Sequence, residues 1–191
     1  MTILLVRAAT EDEARGEWLR YEANTRFSAV LSSEEKSIIA LADYHNSVHN
    51  AKRVEMFRRL RGTFFDEIPR WGVRKWRLYS VDDDQLVSRF EIAHDIHYRN
   101  KLAPQTGHLD EAARNLIENP QLAADYQEIL KLGALFRNPQ MKVEGMVALI
   151  IKSRWELWEG CHRALGLACA VVRAGRSPAP RRLHFAYVGE P

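Results

Sequence analysis

The sequence predicts an α+β protein in which a helical N-terminal extension, residues 1–72, precedes a small mixed β-sheet domain, residues 73–191. In the first part, apolar side chains recur every three or four residues, which is the period of an amphipathic helix. After residue 73, β-branched and aromatic residues form short runs that end at turn residues, as strands do. The 191 residues are 46% hydrophobic and 28% charged, which is enough apolar material for one sizeable core.

Three local signals define the helical extension. Residues 11–31 are rich in Glu, Ala, Arg and Leu and contain no Pro, which favours a helix. Ser32 and Glu35 have the spacing of a capping box, so we expect the next helix to begin there. This helix, with or without a break, ends at Gly62, a residue type typical of helix C-termini. Residues 63–72 then join the extension to the sheet domain.

The rest of the chain alternates between predicted strands and helices. The predicted elements are a strand at 73–81, a short helix at 84–93, a loop at 94–108, helices at 109–118 and 121–135, strands at 143–153 and 155–158, a helix at 161–173, a connector at 177–180 and a strand at 183–188. A polar turn separates the two apolar runs before and after residue 153, so we expect those strands to be neighbours.

A strand, a glycine turn and a helix start follow one another at residues 155–165. Such a turn brings free backbone N–H groups to one point, where the helix dipole adds partial positive charge. Phosphate commonly binds there. His162 and Arg163 add side-chain donors, and the fork of an Arg matches phosphate oxygens. The segment therefore predicts an anion site that takes phosphate.

Gly160-Cys161-His162-Arg163 resembles the signature of the ParB/sulfiredoxin superfamily, in which a strand runs into Gly-x-His-Arg at a helix start. Sulfiredoxins carry Gly-Cys-His-Arg with a reactive Cys. The free-serine kinases of the superfamily carry Asp-Gly-His-His-Arg, and Glu159 stands where they have Asp. The DNA-partition branch has a run closer to Gly-Glu-Arg-Arg, which this chain lacks. The resemblance covers residues 73–188 and implies a sheet domain of ParB/sulfiredoxin type.

The resemblance also implies a nucleotide whose terminal phosphate rests on the N–H groups of Cys161 and His162, beside Gly160. The function it favours is an ATP-dependent phosphotransferase that acts on a small hydroxyl-bearing metabolite, an amino acid or a nucleoside. Glu159 would accept the hydroxyl proton or help to hold Mg²⁺, while His162 and Arg163 stabilise the phosphate charge. If no ligand binds, Glu159 and Arg163 would instead form an ordinary surface ion pair.

Cys161 leaves two further functions open. At a helix start beside His162 and Arg163, its thiol is expected to have a lowered pKa and to be nucleophilic, although Glu159 opposes this. The first alternative is therefore a sulfiredoxin-like thiol enzyme. In a kinase, by contrast, Cys161 supplies only its backbone N–H. The second alternative is a nucleotide-gated module that binds DNA or a protein partner.

The two cysteines also bear on the compartment. Cys169 falls on the apolar stripe of the predicted helix, where core packing is expected. Eight residues along one helix would place the two cysteines ~12 Å apart, which is too far for a disulfide. Two unpaired cysteines and no recognisable secretion signal favour a reducing compartment, so we expect a cytoplasmic protein.

Two histidine pairs give weaker signals. His45 and His49 are four residues apart on a predicted helix, which suits a metal, although a polar helix flank is the favoured interpretation. His94 and His97 lie in the predicted loop 94–108 together with basic residues, which favours phosphate or substrate contact slightly over metal.

Residues 51–77 contain nine Lys or Arg and three Asp or Glu, which makes them a candidate nucleic-acid surface. The favoured interpretation is a solvated helix face, because no second DNA-reading motif is present and the net charge of the chain is only +3. No apolar run approaches the roughly 18 residues of a membrane span, so we expect no membrane partner. We expect a small-molecule substrate, and the sequence leaves the oligomeric state open.

Overall fold

A six-stranded mixed β-sheet forms the centre of the computed structural model, which describes residues 3–62, 64–175 and 182–191. The strands are β1 (Leu4–Ala9), β2 (Lys75–Asp82), β3 (Phe90–Ile92), β4 (Met146–Ile151), β5 (Arg154–Glu159) and β6 (Leu183–Glu190). Their order across the sheet is β1-β2-β6-β4-β5-β3. β4 is parallel to β6 and β3 to β5, while the other neighbours are antiparallel. The predicted mixed sheet is confirmed, and the connector predicted at 177–180 lies outside the described residues.

Helices cover both faces of the sheet. They are α1 (Glu11–Ala23), α2 (Ser33–Ala40), α3 (Ser47–Arg61), α4 (Phe64–Glu67), α5 (Asp83–Arg89), α6 (Arg99–Leu102), α7 (Leu109–Glu118), α8 (Pro120–Asp125), α9 (Gln127–Leu135) and α10 (Cys161–Arg173), with a 3₁₀ turn at Ile68–Trp71. Helices α1–α4 share a core with Val147 and Leu149 of β4, whereas α5–α7, α9 and α10 pack around Met146 and Ala148 on the opposite face. Among the described residues, no helix combines the length and apolar character needed to cross a bilayer.

Local hydrogen bonds fix the helix ends. The Ser32 hydroxyl accepts the Glu35 N–H at 3.2 Å, and the Glu35 carboxylate accepts the Ser32 N–H at 2.8 Å, so the predicted capping box is confirmed. The same arrangement starts α1 and α5, at Thr10–Glu13 and Asp82–Gln85. α3 ends at Gly62, whose φ of +71° favours glycine.

The N-terminal part is not entirely helical, contrary to the prediction. Leu4–Ala9 form the edge strand β1, and most of its side chains are exposed, so the sequence lacks the alternation that marks a strand. Residues 24–31 form turns beyond the end of α1. Phe90–Ile92 form strand β3 rather than helix, because all three side chains are buried and the backbone pairs with β5. The predicted boundary after residue 72 falls in the connection before β2 and stays a prediction.

A chain of aromatic contacts anchors the N-terminal helices to the sheet. The ring centroids of Trp18 in α1 and Phe57 in α3 are 4.6 Å apart. Phe57 meets Phe65 edge-on at 4.7 Å, and Phe65 lies 6.0 Å from Trp76 of β2. All four side chains are buried. Because burying one large apolar side chain contributes about 1.5–3 kcal/mol, packing rather than helix propensity stabilises these short helices.

Buried Arg53 ties α3 to the end of α2. Its side chain is only 1% exposed. Its guanidinium donates to the Asn50 side-chain oxygen on the same helix. It also donates to the backbone carbonyls of Ile38, Leu41 and Asp43. Within the described residues no carboxylate pairs with Arg53, so these acceptors compensate its charge.

Replacing Arg53 tests this arrangement. Arg53→Met leaves buried carbonyl oxygens without a donor, and we expect a loss of about 2–4 kcal/mol in unfolding free energy, measured by urea denaturation. Lys52→Met is the matched control, because Lys52 is exposed on the same helix and forms a surface ion pair with Glu34. An equally small loss in both variants would show that the Arg53 hydrogen bonds do not stabilise the fold.

Candidate functional site

β5 ends in a bulge that turns Glu159 toward the N-terminal helices. Val147 pairs with Glu159 and Ala148 with Leu157, so Trp158 is the extra residue on β5. The bulge places Glu159 on the same face of the sheet as Val147, which belongs to the core beneath α1–α4. A regular strand would have pointed it to the opposite face.

Gly160 is the N-cap of α10 and adopts the left-handed region, with φ of +84°. A Cβ at this position would lie 3.1 Å from Met146 Cγ, so both backbone and space require glycine. The Ala164 N–H donates to the Gly160 carbonyl at 2.9 Å, and the N–H groups of residues 161–163 precede this first intrahelical bond. No side chain of the described residues caps this helix start. The turn thus has the local geometry that an anion site needs.

The Glu159 carboxylate is hydrogen-bonded to residues of the N-terminal helices. Its carboxylate accepts hydrogen bonds from Arg61 Nε at 3.0 Å and from Trp18 Nε1 at 3.1 Å. The residue is only 8% exposed. Burial raises the pKa of Glu159, and Arg61 and Trp18 partly offset this effect. The carboxylate therefore joins the start of α10 to α1 and α3.

Arg163 is likewise bound to α1. Its guanidinium donates to Glu22 Oε1 at 3.0 Å and stacks 3.7 Å from the centroid of the Tyr21 ring. A further contact reaches the Gly145 carbonyl at 3.5 Å. The surface ion pair considered between Glu159 and Arg163 is not formed, because each side chain pairs with an N-terminal helix instead.

Cys161 is a buried thiol, not an activated one. Its Sγ donates to the Leu157 carbonyl at 2.8 Å, and the residue is 5% exposed. Burial first, and then the charge of Glu159, raise the pKa of the Cys161 thiol to about 12. The expected lowering of this pKa was wrong, since desolvation outweighs the helix dipole and Arg163. Cys169 is fully buried in the core as predicted, and both cysteines are free.

His162 is the exposed side chain of the motif. Its ring lies 5.2 Å from the Tyr98 ring. Partial desolvation lowers the pKa of His162, the charge of Glu128 opposes this, and the cations Arg163 and Arg26 lower it further. The imidazole is therefore mostly neutral at pH 7. The sequence did not predict a role for Arg26 at this site, because Arg26 is far from residues 159–163 along the chain and belongs to no motif.

The loop after β3 brings His97 to this site. β3 and β5 are parallel, so their carboxyl ends meet at one edge of the sheet, where ligands of α/β proteins commonly bind. The Ala93 N–H donates to the Leu157 carbonyl at 3.2 Å and holds the loop beside the start of α10. The His97 ring then contacts Tyr98 at 5.2 Å.

His94, in the same loop, is held between two carboxylates. Its Nδ1 lies 2.6 Å from Glu156 Oε2, and its Nε2 lies 3.2 Å from Asp95 Oδ1. Glu156 is fully buried and also accepts from Arg154 at 2.7 Å. Both ring nitrogens of His94 are thus engaged in a charge network beside the edge strand β3, not in an open phosphate site.

The predicted histidine pair at His45 and His49 does not lie on one helix. His45 precedes the N-cap Asn46 of α3, whereas His49 lies inside α3. No group of three or more His, Cys, Asp or Glu side chains suited to a metal ion occurs in the described part of the chain.

Most basic residues of the stretch 51–77 have partners. The pairs are Lys52–Glu34, Arg58–Asp66, Arg59–Glu35, Arg61–Glu159, Lys75–Glu190 and Arg77–Glu190. Arg53 is buried. The positive charge is therefore largely compensated, as the interpretation of a solvated helix face expects.

Comparisons with protein-family models, curated proteins and solved structures find no match to this chain. The resemblance to the ParB/sulfiredoxin superfamily thus rests on residues 159–163 and their strand–turn–helix setting. A mixed sheet flanked by helices is established, and its assignment to the ParB/sulfiredoxin type stays a prediction.

In Arg61→Met, the free energy of unfolding is expected to decrease as pH rises. Without Arg61 the pKa of Glu159 rises further, so the folded chain keeps a proton that the unfolded chain loses above about pH 4.3. Stability is then greatest at low pH and declines as pH rises. We expect a loss of roughly 2–3 kcal/mol at pH 7 and a smaller loss at pH 5, measured by denaturant unfolding.

Arg58→Met is the control for this measurement. Arg58 is an exposed residue of the same helix, and its partner Asp66 has a lowered pKa. Removing Arg58 also removes the cause of that lowering, but an ordinary Asp pKa is about 3.9, so Asp66 stays ionised between pH 5 and 7 and this variant should show no added pH dependence there. Equal behaviour of the two variants would contradict the pairing of Arg61 with the buried Glu159 carboxylate.

Neither cysteine should react with iodoacetamide at pH 8 while the chain is folded. Both thiols are buried, and their pKa values are raised to about 12 for Cys161 and about 11 for Cys169. After unfolding in guanidinium, mass spectrometry should detect modification at both positions. Rapid labelling of Cys161 in the folded chain would instead support a thiol enzyme.

Proposed function

We propose that the chain is an ATP-dependent phosphotransferase that holds the γ-phosphate at the start of α10 and transfers it to a small hydroxyl-bearing metabolite. The observation that carries this proposal is the uncapped helix start after Gly160, with the exposed side chains of His162, His97 and Arg26 close by. The helix dipole and the Arg26 guanidinium favour an anion there, against the opposing charge of Glu128.

Arg163 offers further support. Its Nε atom is buried and has no hydrogen-bond partner among the described residues. The other guanidinium nitrogens pair with Glu22 and the Gly145 carbonyl, so the group is held in place beside the first turn of α10. In the proposed site the phosphate oxygens accept from the N–H groups of Cys161 and His162, while Arg163 contributes positive charge from its place beside Glu22.

The division of roles differs from the one that the sequence suggested. Glu159 does not fit as general base or as a ligand of Mg²⁺, because Arg61 and Trp18 occupy its buried carboxylate. The neutral imidazole of His162 is the better base. The acceptor oxygen bonds to the γ-phosphorus, the bond from phosphorus to the bridging oxygen of ADP breaks, and the hydroxyl proton passes to His162.

Nucleotide binding is the first test. Thermal shift with ATP, ADP, CTP and GTP, with and without Mg²⁺, should show stabilisation of the wild type, since a ligand at 100 times its Kd adds about 2.7 kcal/mol. His162→Ala should reduce this response, and it should lower ADP release in the presence of hydroxyl acceptors by about 10²–10⁴-fold. His45→Ala is the matched control, because His45 is exposed and lies before α3.

Two outcomes would contradict the proposal. If no nucleotide stabilises the wild type, the helix start is not a nucleotide site. If nucleotide binds but no acceptor yields ADP, the alternative of a nucleotide-gated binding module replaces the phosphotransferase. Nucleic-acid affinity that falls steeply with salt would then identify DNA as its partner.

A further inference from the structure

A cavity of about 700 Å³ lies between α1, β2, β6 and the segment that precedes β4. Its floor is the sheet surface formed by Leu78, Phe185 and Tyr187. Leu78 is directly opposite Tyr187 in the β2–β6 pairing, and Phe185 lies two residues before Tyr187, so the three side chains share one face. Tyr21 of α1 adds a third aromatic wall. Small-molecule sites typically combine this size with such an apolar and aromatic lining.

Charged groups of both signs surround this floor. Glu17 and Arg20 of α1 pair with each other on one side. On the other side stand Lys142 and Glu144, which have no hydrogen bond or ion pair within the described residues. The formal charges of these four side chains cancel. The cavity therefore suits a ligand without net charge but with both donors and acceptors at its edge.

The cavity shares a wall with the proposed phosphate site. Tyr21 and Gly145 line the cavity, and both contact the Arg163 guanidinium. Met146 also lines the cavity, and a Cβ at Gly160 would lie 3.1 Å from Met146 Cγ. A molecule in the cavity is therefore separated from the first turn of α10 by one layer of side chains.

We propose that this cavity binds a nucleoside. A flat heteroaromatic base matches the aromatic walls, and its donors and acceptors match the mixed rim. A free amino acid would leave the apolar floor uncovered.

Isothermal titration with adenosine, guanosine, cytidine and uridine tests the cavity without any turnover. At least one should bind the wild type, whereas ribose alone should not. Phe185→Ala should weaken that binding by at least about fivefold, since one stacked base contributes about 1–3 kcal/mol. Leu183→Ala is the matched control, because Leu183 is equally exposed on β6 but does not line the cavity. Asn24→Trp, at the exposed rim, should block binding by filling the entrance.

His162→Ala separates this proposal from the phosphotransferase. It should remove the response to ATP, whereas Phe185→Ala should remove nucleoside binding and keep the response to ATP. If nucleosides bind the wild type but not Phe185→Ala, while ATP gives no response, the cavity assignment is supported and the proposed phosphoryl transfer is refuted. Failure of all four nucleosides to bind, or equal binding by Phe185→Ala and Leu183→Ala, overturns the cavity assignment. If Phe185→Ala and His162→Ala weaken ATP binding alike, the cavity holds the base of the nucleotide and not a separate nucleoside.

Discussion

Two ion pairs with buried carboxylates, Glu159–Arg61 and Glu22–Arg163, join the start of α10 to the N-terminal helices, and the geometry of the candidate site depends on them. Burying charges is costly, and the cost is recovered only when partners and hydrogen bonds are in place. Both pairs link residues that are far apart in the sequence, so they also fix how α1 and α3 lie on the sheet. Within residues 159–163, the side chains of Glu159, Cys161 and Arg163 face inward and hold the fold. The backbone N–H groups of the helix start and the His162 side chain face outward.

This division determines which chemistry the site can support. Glu159 and Cys161 carry the groups that usually act as base and nucleophile, yet one is paired with Arg61 and the other is desolvated, with its pKa raised to about 12. His162 keeps an exposed imidazole whose pKa is lowered. Arg163 contributes its charge without moving, because Glu22 and Tyr21 hold it. Electrostatic stabilisation of a phosphate by fixed donors therefore fits the site better than covalent catalysis through sulfur.

The parts that sequence reasoning predicted are those with a local cause. The Ser32–Glu35 capping box, the end of α3 at Gly62 and the strand–glycine–helix turn at Gly160 each depend on residues within a few positions. The parts it missed depend on distant residues. β1 carries no alternating pattern because it is an exposed edge strand. The sequence around Glu159 gives no sign that Arg61, almost 100 residues earlier, pairs with its carboxylate. The pKa of the Cys161 thiol was predicted wrongly, because the sequence shows its position at a helix start but not its burial, which depends on the packing of distant residues.

α1 combines three roles in this architecture. Trp18 packs in the core and donates to Glu159, Glu22 binds Arg163, and Tyr21 separates Arg163 from the cavity. A shift of α1 would change the ion pair, the stacking of the guanidinium and the cavity wall together, because packed interfaces transmit displacement instead of absorbing it. The candidate site is therefore assembled from both sides of the predicted boundary after residue 72, and the N-terminal helices are part of the site itself.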